Sequence, residues 1–203
     1  MRPSIFILLS SYILTSCVAR DLPRNDQYQK QSPIQSLQTE RTAENEKTLV
    51  ESVLKNAYSE EVLAETIYTE IVAKYPTLSG ISNIIDSEEK HSIQVGKLLD
   101  TRGIARPTDF GIYADTYATL SAMVASSLTG AIEAGVMIEV GDIDHLLTEY
   151  QTLSDTDIRQ VFENIGGGSF NHLRAFLKLA EQYSYTPKTD CSRYLRSDEL
   201  NMT

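Results

Sequence analysis

Apolar residues recur along four segments of this chain at the 3.6-residue spacing of an α-helix, and no segment shows the alternation of a β-strand. The four segments are residues 43–74, 79–102, 127–151 and 154–183. Pro76 ends the first, Gly103 suits the end of the second, and Ser154–Asp157 suits the start of the fourth. A connection with Pro107 and a short helix over 114–125 precede the third. The pattern predicts an all-α four-helix bundle with a long crossover between helices two and three.

Each predicted helix also carries acidic or imidazole side chains within the apolar stripe that faces the core. Placing residues at 100° intervals puts these polar residues on the inner faces: Glu61, Glu88, His91, Glu139, Asp142 and His172. The same construction puts Glu60 at the margin of the first stripe, and Glu133 and His145 off the face of the third. A single polar residue in a core stripe is usually a structural hydrogen-bonding group. Here all four helices contribute one, which favours a common site.

Buried carboxylates need a partner, because an isolated buried charge is strongly unfavourable. They could be protonated, or paired with Arg102, Arg106 or Arg174, or they could bind metal ions. The Glu88-x-x-His91 spacing places two ligands on one helix face, as two-metal bundles require. Carboxylate and imidazole ligands suit iron or manganese. The sequence therefore predicts a site for two Fe or Mn ions, with Asp142 as an accessory ligand.

Four motifs carry a resemblance to a known family. They are Ala57-Tyr58-Ser59-Glu60-Glu61-x-Leu63-Ala64, Ser87-Glu88-x-x-His91, Ala134-Gly135-x-x-Ile138-Glu139-x-x-Asp142-Ile143 and Gly168-Ser169-x-Asn171-His172-Leu173-x-Ala175-Phe176. Over residues 51–187 the chain resembles a bacterial group of ferritin-like domains, domain of unknown function 2202. The resemblance implies a ferritin-like bundle with a carboxylate-bridged two-metal centre, a kind of site that supports ferroxidase, peroxidase or oxygenase chemistry in relatives.

The two-metal hypothesis also predicts a role for each of these residues. Glu61 and Glu139 would bridge or chelate the ions, and the terminal ligands would be Glu88, His91 and His172. The chain departs from the general pattern at Ser169, where a Glu is expected three residues before the last His. This departure predicts either compensation by Asp142 or an incomplete second metal position. Gly166–Gly168, just before this residue, indicate a break in the fourth helix, a close approach of its backbone, or a local bulge that aims Ser169 and His172 at the centre.

The first residues have the features of an export signal. A short positive start precedes the apolar run Ile5–Leu14, which is shorter than the roughly 20 residues that span a bilayer. Leu14-Thr15-Ser16-Cys17 resembles a bacterial lipobox, which implies a lipidated Cys17 and, with Val18 after it, an outer-membrane anchor facing the periplasm. An ordinary signal peptide with a chance cysteine is the alternative. The predicted division is a signal over 1–16, a flexible tether over 17–42, the bundle over 43–187 and a tail over 188–203.

Charge excludes one class of function. Lys and Arg number 18 against 28 Asp and Glu, a net charge of −10, and no basic block occurs, so nucleic acid is not expected as a partner. The sequence leaves two functions open. One is a membrane-tethered two-metal oxidoreductase. The other is a periplasmic metal-binding or envelope interaction module with a structural metal or none, and a homodimer is compatible with both.

Overall fold

A computed structural model describes residues 43–194, and it contains five α-helices and no β-strand within that range. The helices are α1 (Ala43–Lys74), α2 (Ile81–Thr101), α3 (Ala114–Ser126), α4 (Leu128–Thr152) and α5 (Thr156–Gln182). Short 3₁₀ helices occur at Gly111–Tyr113 and Ser192–Tyr194. The all-α prediction is confirmed, and the predicted helix ends lie within two residues of the observed ones.

The four long helices pack as two pairs. Helix α1 packs along α2, and α4 packs along α5, while contacts between α1 and α4 and between α2 and α5 join the pairs into a closed bundle. The short helix α3 belongs to the connection between α2 and α4 and packs on both α4 and α1. The long crossover therefore covers the side of the bundle formed by α1 and α4.

Local signals in the sequence set the helix ends. Asp155 caps α5, since its side chain accepts hydrogen bonds from the backbone N–H groups of Asp157 and Ile158 at 3.0 and 3.1 Å. Ser127 caps α4 in the same way through Gly130. Gly103 follows the end of α2 with a φ of +66°, a left-handed conformation that favours glycine.

The buried apolar residues form two clusters, one toward each end of the bundle. Along α1, Ala57 belongs to one cluster and Ala64 to the other. Along α5, Ile165 belongs to the same cluster as Ala57, and Leu173 belongs to the same cluster as Ala64. Between these positions lies a layer of buried polar residues. The predicted site residues occupy this layer, so their positions are determined by the apolar packing on both sides.

The segment after α5 folds back onto α4, although its sequence has no helical period. Glu133 of α4 binds it: Oε2 accepts from Tyr185 Oη and Lys188 N at 2.7 and 2.9 Å, and Oε1 accepts from Thr189 N and Oγ1 at 2.8 and 2.7 Å. Tyr194 is buried and packs edge-on to Phe170. Glu133 was expected off the inner face, and it is indeed outside the polar layer, but its side chain is buried by this segment.

Cys191 lies in the same segment and is fully buried. It is disulfide-bonded and not a free thiol. The other cysteine of the sequence is Cys17, which lies outside the described residues together with the predicted signal, the lipobox and the tether. Within residues 43–194, no helix is both long and apolar enough to cross a membrane.

We expect Glu133→Gln to lower the free energy of unfolding by about 2 kcal/mol, because the amide would turn an N–H₂ group toward two of the four donors. Urea denaturation measures this change. The matched control is Glu181→Gln on the exposed surface of α5, which should leave stability unchanged. Equal effects of the two substitutions would contradict the role given to Glu133.

The same contacts predict a pH dependence. Burial raises the pKa of Glu133, but the hydrogen bonds from Tyr185, Thr189 and the backbone outweigh it, and the pKa is lowered from its usual 4.5. A carboxyl group whose pKa is lowered by folding contributes stability above its unfolded pKa and loses it as the pH falls through the folded value. The difference between wild type and Glu133→Gln should therefore shrink below about pH 4.5.

Candidate metal centre

Seven polar residues from the four long helices meet in the layer between the apolar clusters. None of them is more than 8% exposed: Glu61, Glu88, His91, Glu139, Asp142, Ser169 and His172. Each sits on the inner face that its helical spacing predicted. The structure therefore brings together all six predicted ligands and the serine that replaces the expected fourth-helix carboxylate.

Glu88 occupies the middle of the layer, between the two imidazoles. Its Oε2 lies 2.8 Å from Nδ1 of His91, and its Oε1 lies 2.8 Å from Nδ1 of His172. Each oxygen of one carboxylate thus faces one histidine. The sequence predicted that Glu61 and Glu139 bridge or chelate the ions and that Glu88 is a terminal ligand, whereas in the structure Glu88 lies between the two imidazoles.

Two sets of three ligands overlap at this residue. One set is Glu61, Glu88 and His91, and the other is Glu88, Glu139 and His172, with the ligand atoms of each set within 4.8 Å of one another. The rings of His91 and His172 stack with their centroids 5.7 Å apart. Two carboxylates and one imidazole form each set, a donor combination that suits iron or manganese.

Three buried polar atoms in the layer make no hydrogen bond within the described residues. They are Oε1 of Glu61, Oδ1 of Asp142 and Nδ1 of His172. The last atom is 2.8 Å from Glu88 Oε1 but is not in hydrogen-bonding geometry with it. Buried polar atoms are almost always hydrogen-bonded in native proteins. Atoms without such partners that converge on one layer fit the ligand set of a cation.

The charges in the layer are strongly perturbed. Burial, together with the nearby carboxylates, raises the pKa of Glu61 and Asp142 well above the ordinary values. Burial also raises the pKa of Glu139. Glu88 is different, because the two histidines beside it, His172 and His91, outweigh the effect of burial and lower its pKa to about 2. Burial alone would lower the pKa of His172, but Glu139 and Glu88 raise it to about 11.

The alternative that arginines neutralise these carboxylates is wrong. Arg102 pairs with Asp155 at 2.6 Å, and Arg106 pairs with Asp100. Arg174 donates to the Asn171 side chain at 2.9 Å. Among the described residues, the ion pairs of Glu61, Glu88 and Glu139 involve only the two histidines.

Ser169 and Asp142 contact each other directly. The Ser169 hydroxyl donates to Oδ2 of Asp142 and lies 3.0 Å from the carbonyl oxygen of Ile165. Asp142 also lines a pocket that contains Glu61, Glu88 and Glu139. The structure thus places Asp142 beside Ser169, the position at which the resemblance implied a carboxylate, and compensation by Asp142 stays a prediction.

The three glycines before Ser169 do not break the helix, since α5 runs without interruption from Thr156 to Gln182. Gly168 instead permits a close approach. A Cβ atom at this position would lie 2.7 Å from Cε1 and from Nε2 of His91, closer than real Cβ contacts. The close-approach interpretation is therefore correct, and Gly168 leaves room for the His91 ring.

The helical construction missed the residues at the edge of the layer. Glu60 is largely buried and bonded to His145, and Tyr113 donates to the same carboxylate oxygen at 3.1 Å. Glu60 was predicted at the margin of the first stripe and His145 off the face of the third, and the structure pairs the two side chains beside the layer. One signal was present, because Asp142-x-x-His145 repeats the spacing of Glu88-x-x-His91. Tyr68, a buried residue of α1, donates to Oε1 of Glu139.

Two comparisons find the same relative. The uncharacterized protein MJ0754 of Methanocaldococcus jannaschii is 32% identical over 139 residues, which cover 64% of this chain and 75% of the relative. The crystal structure of hypothetical protein MJ0754 from Methanococcus jannaschii matches with a TM-score of 0.66 and 26% identity. That match covers 76% of this chain and 91% of the crystallised one.

A comparison with protein families gives a match over most of the bundle. Residues 50–201 match the family described as "Uncharacterized protein domain (DUF2202)". The match contains all four long-helix segments that supply the polar layer. The chain therefore belongs to the DUF2202 family.

Proposed function

We propose that this protein binds two iron or manganese ions between its four long helices and acts as an oxidoreductase on oxygen or peroxide. The observation that carries the proposal is Glu88, whose two oxygens face two imidazoles and thereby join two ligand sets. The unpaired buried atoms of Glu61, Asp142 and His172 support it. Bound Fe(II) ions would supply the electrons that reduce oxygen or peroxide and would themselves be oxidised.

The chain's own residues have distinct parts in this proposal. Glu61 and His91 would hold one ion, Glu139 and His172 the other, and Glu88 both. Ser87 and Tyr68 would orient them: Ser87 Oγ lies 3.4 Å from Nε2 of His91, and Tyr68 donates to Glu139. Groups that bond the outer atoms of metal ligands fix ligand orientation and raise metal affinity. The apolar clusters on both sides limit the access of water.

Ser169 favours a second candidate, a non-catalytic module with one structural ion. A neutral hydroxyl is a poor ligand for a hard cation, and here it is bonded to Asp142. Metal analysis of protein purified without chelator, combined with Fe(II)-dependent oxygen consumption, separates the candidates. Two ions with oxygen consumption favour the oxidoreductase, and one ion without it favours the module.

We also propose, from the sequence alone, that a lipid on Cys17 tethers the domain to the outer membrane. Two or three acyl chains anchor a protein far more firmly than one. A sulfur that carries a lipid thioether cannot also form a disulfide. In the lipidated form, a disulfide of Cys191 would therefore need a cysteine of a second molecule, because the chain has two cysteines.

Removal of metal should destabilise the wild-type protein through the loss of binding free energy. With free metal at a hundredfold excess over the dissociation constant, a chelator should lower the melting temperature by about 5 to 10 °C. Glu88→Gln should abolish this response, because both ligand sets lose a charged oxygen donor. Binding should also weaken at lower pH, where protons compete for the ligands.

The matched control for this experiment is Glu89→Gln, because Glu89 is the next residue of α2 and is exposed. Its response to chelator should equal that of the wild type. If both variants lose the response, or both keep it, Glu88 is not the shared ligand.

Gly168→Ala should weaken metal binding, because the added methyl group would displace the His91 ring. We expect a loss of about ten- to a hundredfold in affinity, measured by titration with Mn²⁺. Gly141→Ala is the control: it is also a helical glycine, and its Cβ would meet no atom within 4 Å. Equal affinities of the two variants would show that His91 does not depend on this close approach.

Lipidation of Cys17 has a direct test. Cys17→Ser should move the protein from the detergent-soluble membrane fraction to unprocessed precursor. Cell fractionation and immunoblotting measure this change. Incorporation of labelled fatty acid into the variant would contradict the proposed anchor.

A further inference from the structure

The pocket beside the polar layer is lined by predicted ligands and by one acidic residue that was not predicted as a ligand. Its lining includes Glu61, Glu139 and Asp142, but also Glu60. Two oxygens of this lining, Oε1 of Glu61 and Oδ1 of Asp142, are buried and make no hydrogen bond. The pocket is therefore lined by acidic oxygens, two of which make no hydrogen bond.

The pocket lies on one side of the centre. Apart from Glu88, its lining residues come from α1 and α4, whereas the two imidazoles come from α2 and α5. The crossover between α2 and α4 packs against the same α1 and α4 side, where Tyr113 reaches Glu60. This side thus carries both the pocket and a covering segment.

Glu60 links the pocket to a chain of groups that become progressively more exposed. The Glu61 side chain is 2% exposed, that of Glu60 12%, that of His145 18% and that of Glu149 21%. Glu60 Oε2 is bonded to Nδ1 of His145, whose Nε2 lies 3.9 Å from Glu149 Oε1. The chain runs from solvent to the buried carboxylates.

We propose that Glu60 and His145 form a transit site through which divalent cations reach the buried centre, with Tyr113 of the crossover as its cover. This inference rests on the proposed metal-binding function. An arriving cation would exchange water for the Glu60 carboxylate and the His145 imidazole, and it would then pass to Glu61 and Asp142. The net charge of −10 favours the approach of cations to such an opening.

The test is the rate at which metal-free protein takes up Co²⁺. Stopped-flow mixing can follow the quenching of tyrosine fluorescence, because the chain has 11 Tyr and no Trp. Glu60→Gln should reduce the association rate constant about tenfold, while the final number of bound ions stays that of the wild type. Glu60→Asp, which keeps the carboxylate, should restore most of the rate.

The matched control is Glu70→Gln. Glu70 also lies on α1 and is bonded to the crossover through Tyr117 and Ser121 at 2.8 Å, but it does not line the pocket. Its uptake rate should equal that of the wild type. A Glu60→Gln variant that loads at the wild-type rate, or a Glu60→Asp variant as slow as Glu60→Gln, would overturn the transit site.

Two further outcomes separate this inference from the function beneath it. A lower final number of ions in Glu60→Gln would make Glu60 a ligand of the centre and would overturn its transit role. A wild-type protein that takes up no Co²⁺, Fe²⁺ or Mn²⁺ would refute the proposed function itself, and the transit site with it.

Discussion

Four carboxylates share one buried layer in this bundle, and the rest of the structure accommodates that layer. Burial penalises each charged group, and the repulsion among the carboxylates adds to the penalty, as the raised pKa values of Glu61 and Asp142 show. The two histidines relieve part of this repulsion at Glu88. The apolar clusters on both sides supply the packing that holds the layer in place. Under the proposed function, bound cations would offset this repulsion.

The helices and the inner residues of the layer could be predicted because both follow from local rules. A period of 3.6 residues determines which side chains share a face, so Glu61, Glu139 and His172 could be placed without knowledge of tertiary contacts. The cap at Asp155 and the left-handed glycine at Gly103 are equally local. These rules specify the direction in which a side chain leaves its helix, and the apolar residues on the same face show that this direction leads to the core.

Residues at the margins could not be placed, because their burial depends on segments without a period. Glu133 is covered by the segment that follows α5, and Glu60 is covered by Tyr113 from the crossover. Neither segment shows a pattern from which its path over the bundle could be derived. The position of Glu88 between the two histidines could not be predicted from the sequence either, because it depends on how far α2 is shifted along its axis relative to α5. Periodicity determines faces but not such displacements.

The centre is chemically two-sided, and this asymmetry bears on how it could work. Its nitrogen donors lie on α2 and α5, whereas the side formed by α1 and α4 carries oxygens and the pocket. On the α5 side, Gly168 brings the backbone close to the His91 ring, and a Cβ atom at this position would lie 2.7 Å from two of the ring atoms. On the other side, Asp142 keeps one oxygen unpaired while Ser169 binds its second. In the proposed function, ions bound in this layer would therefore be approached from the α1 and α4 side, where the unpaired oxygens of Glu61 and Asp142 line the pocket.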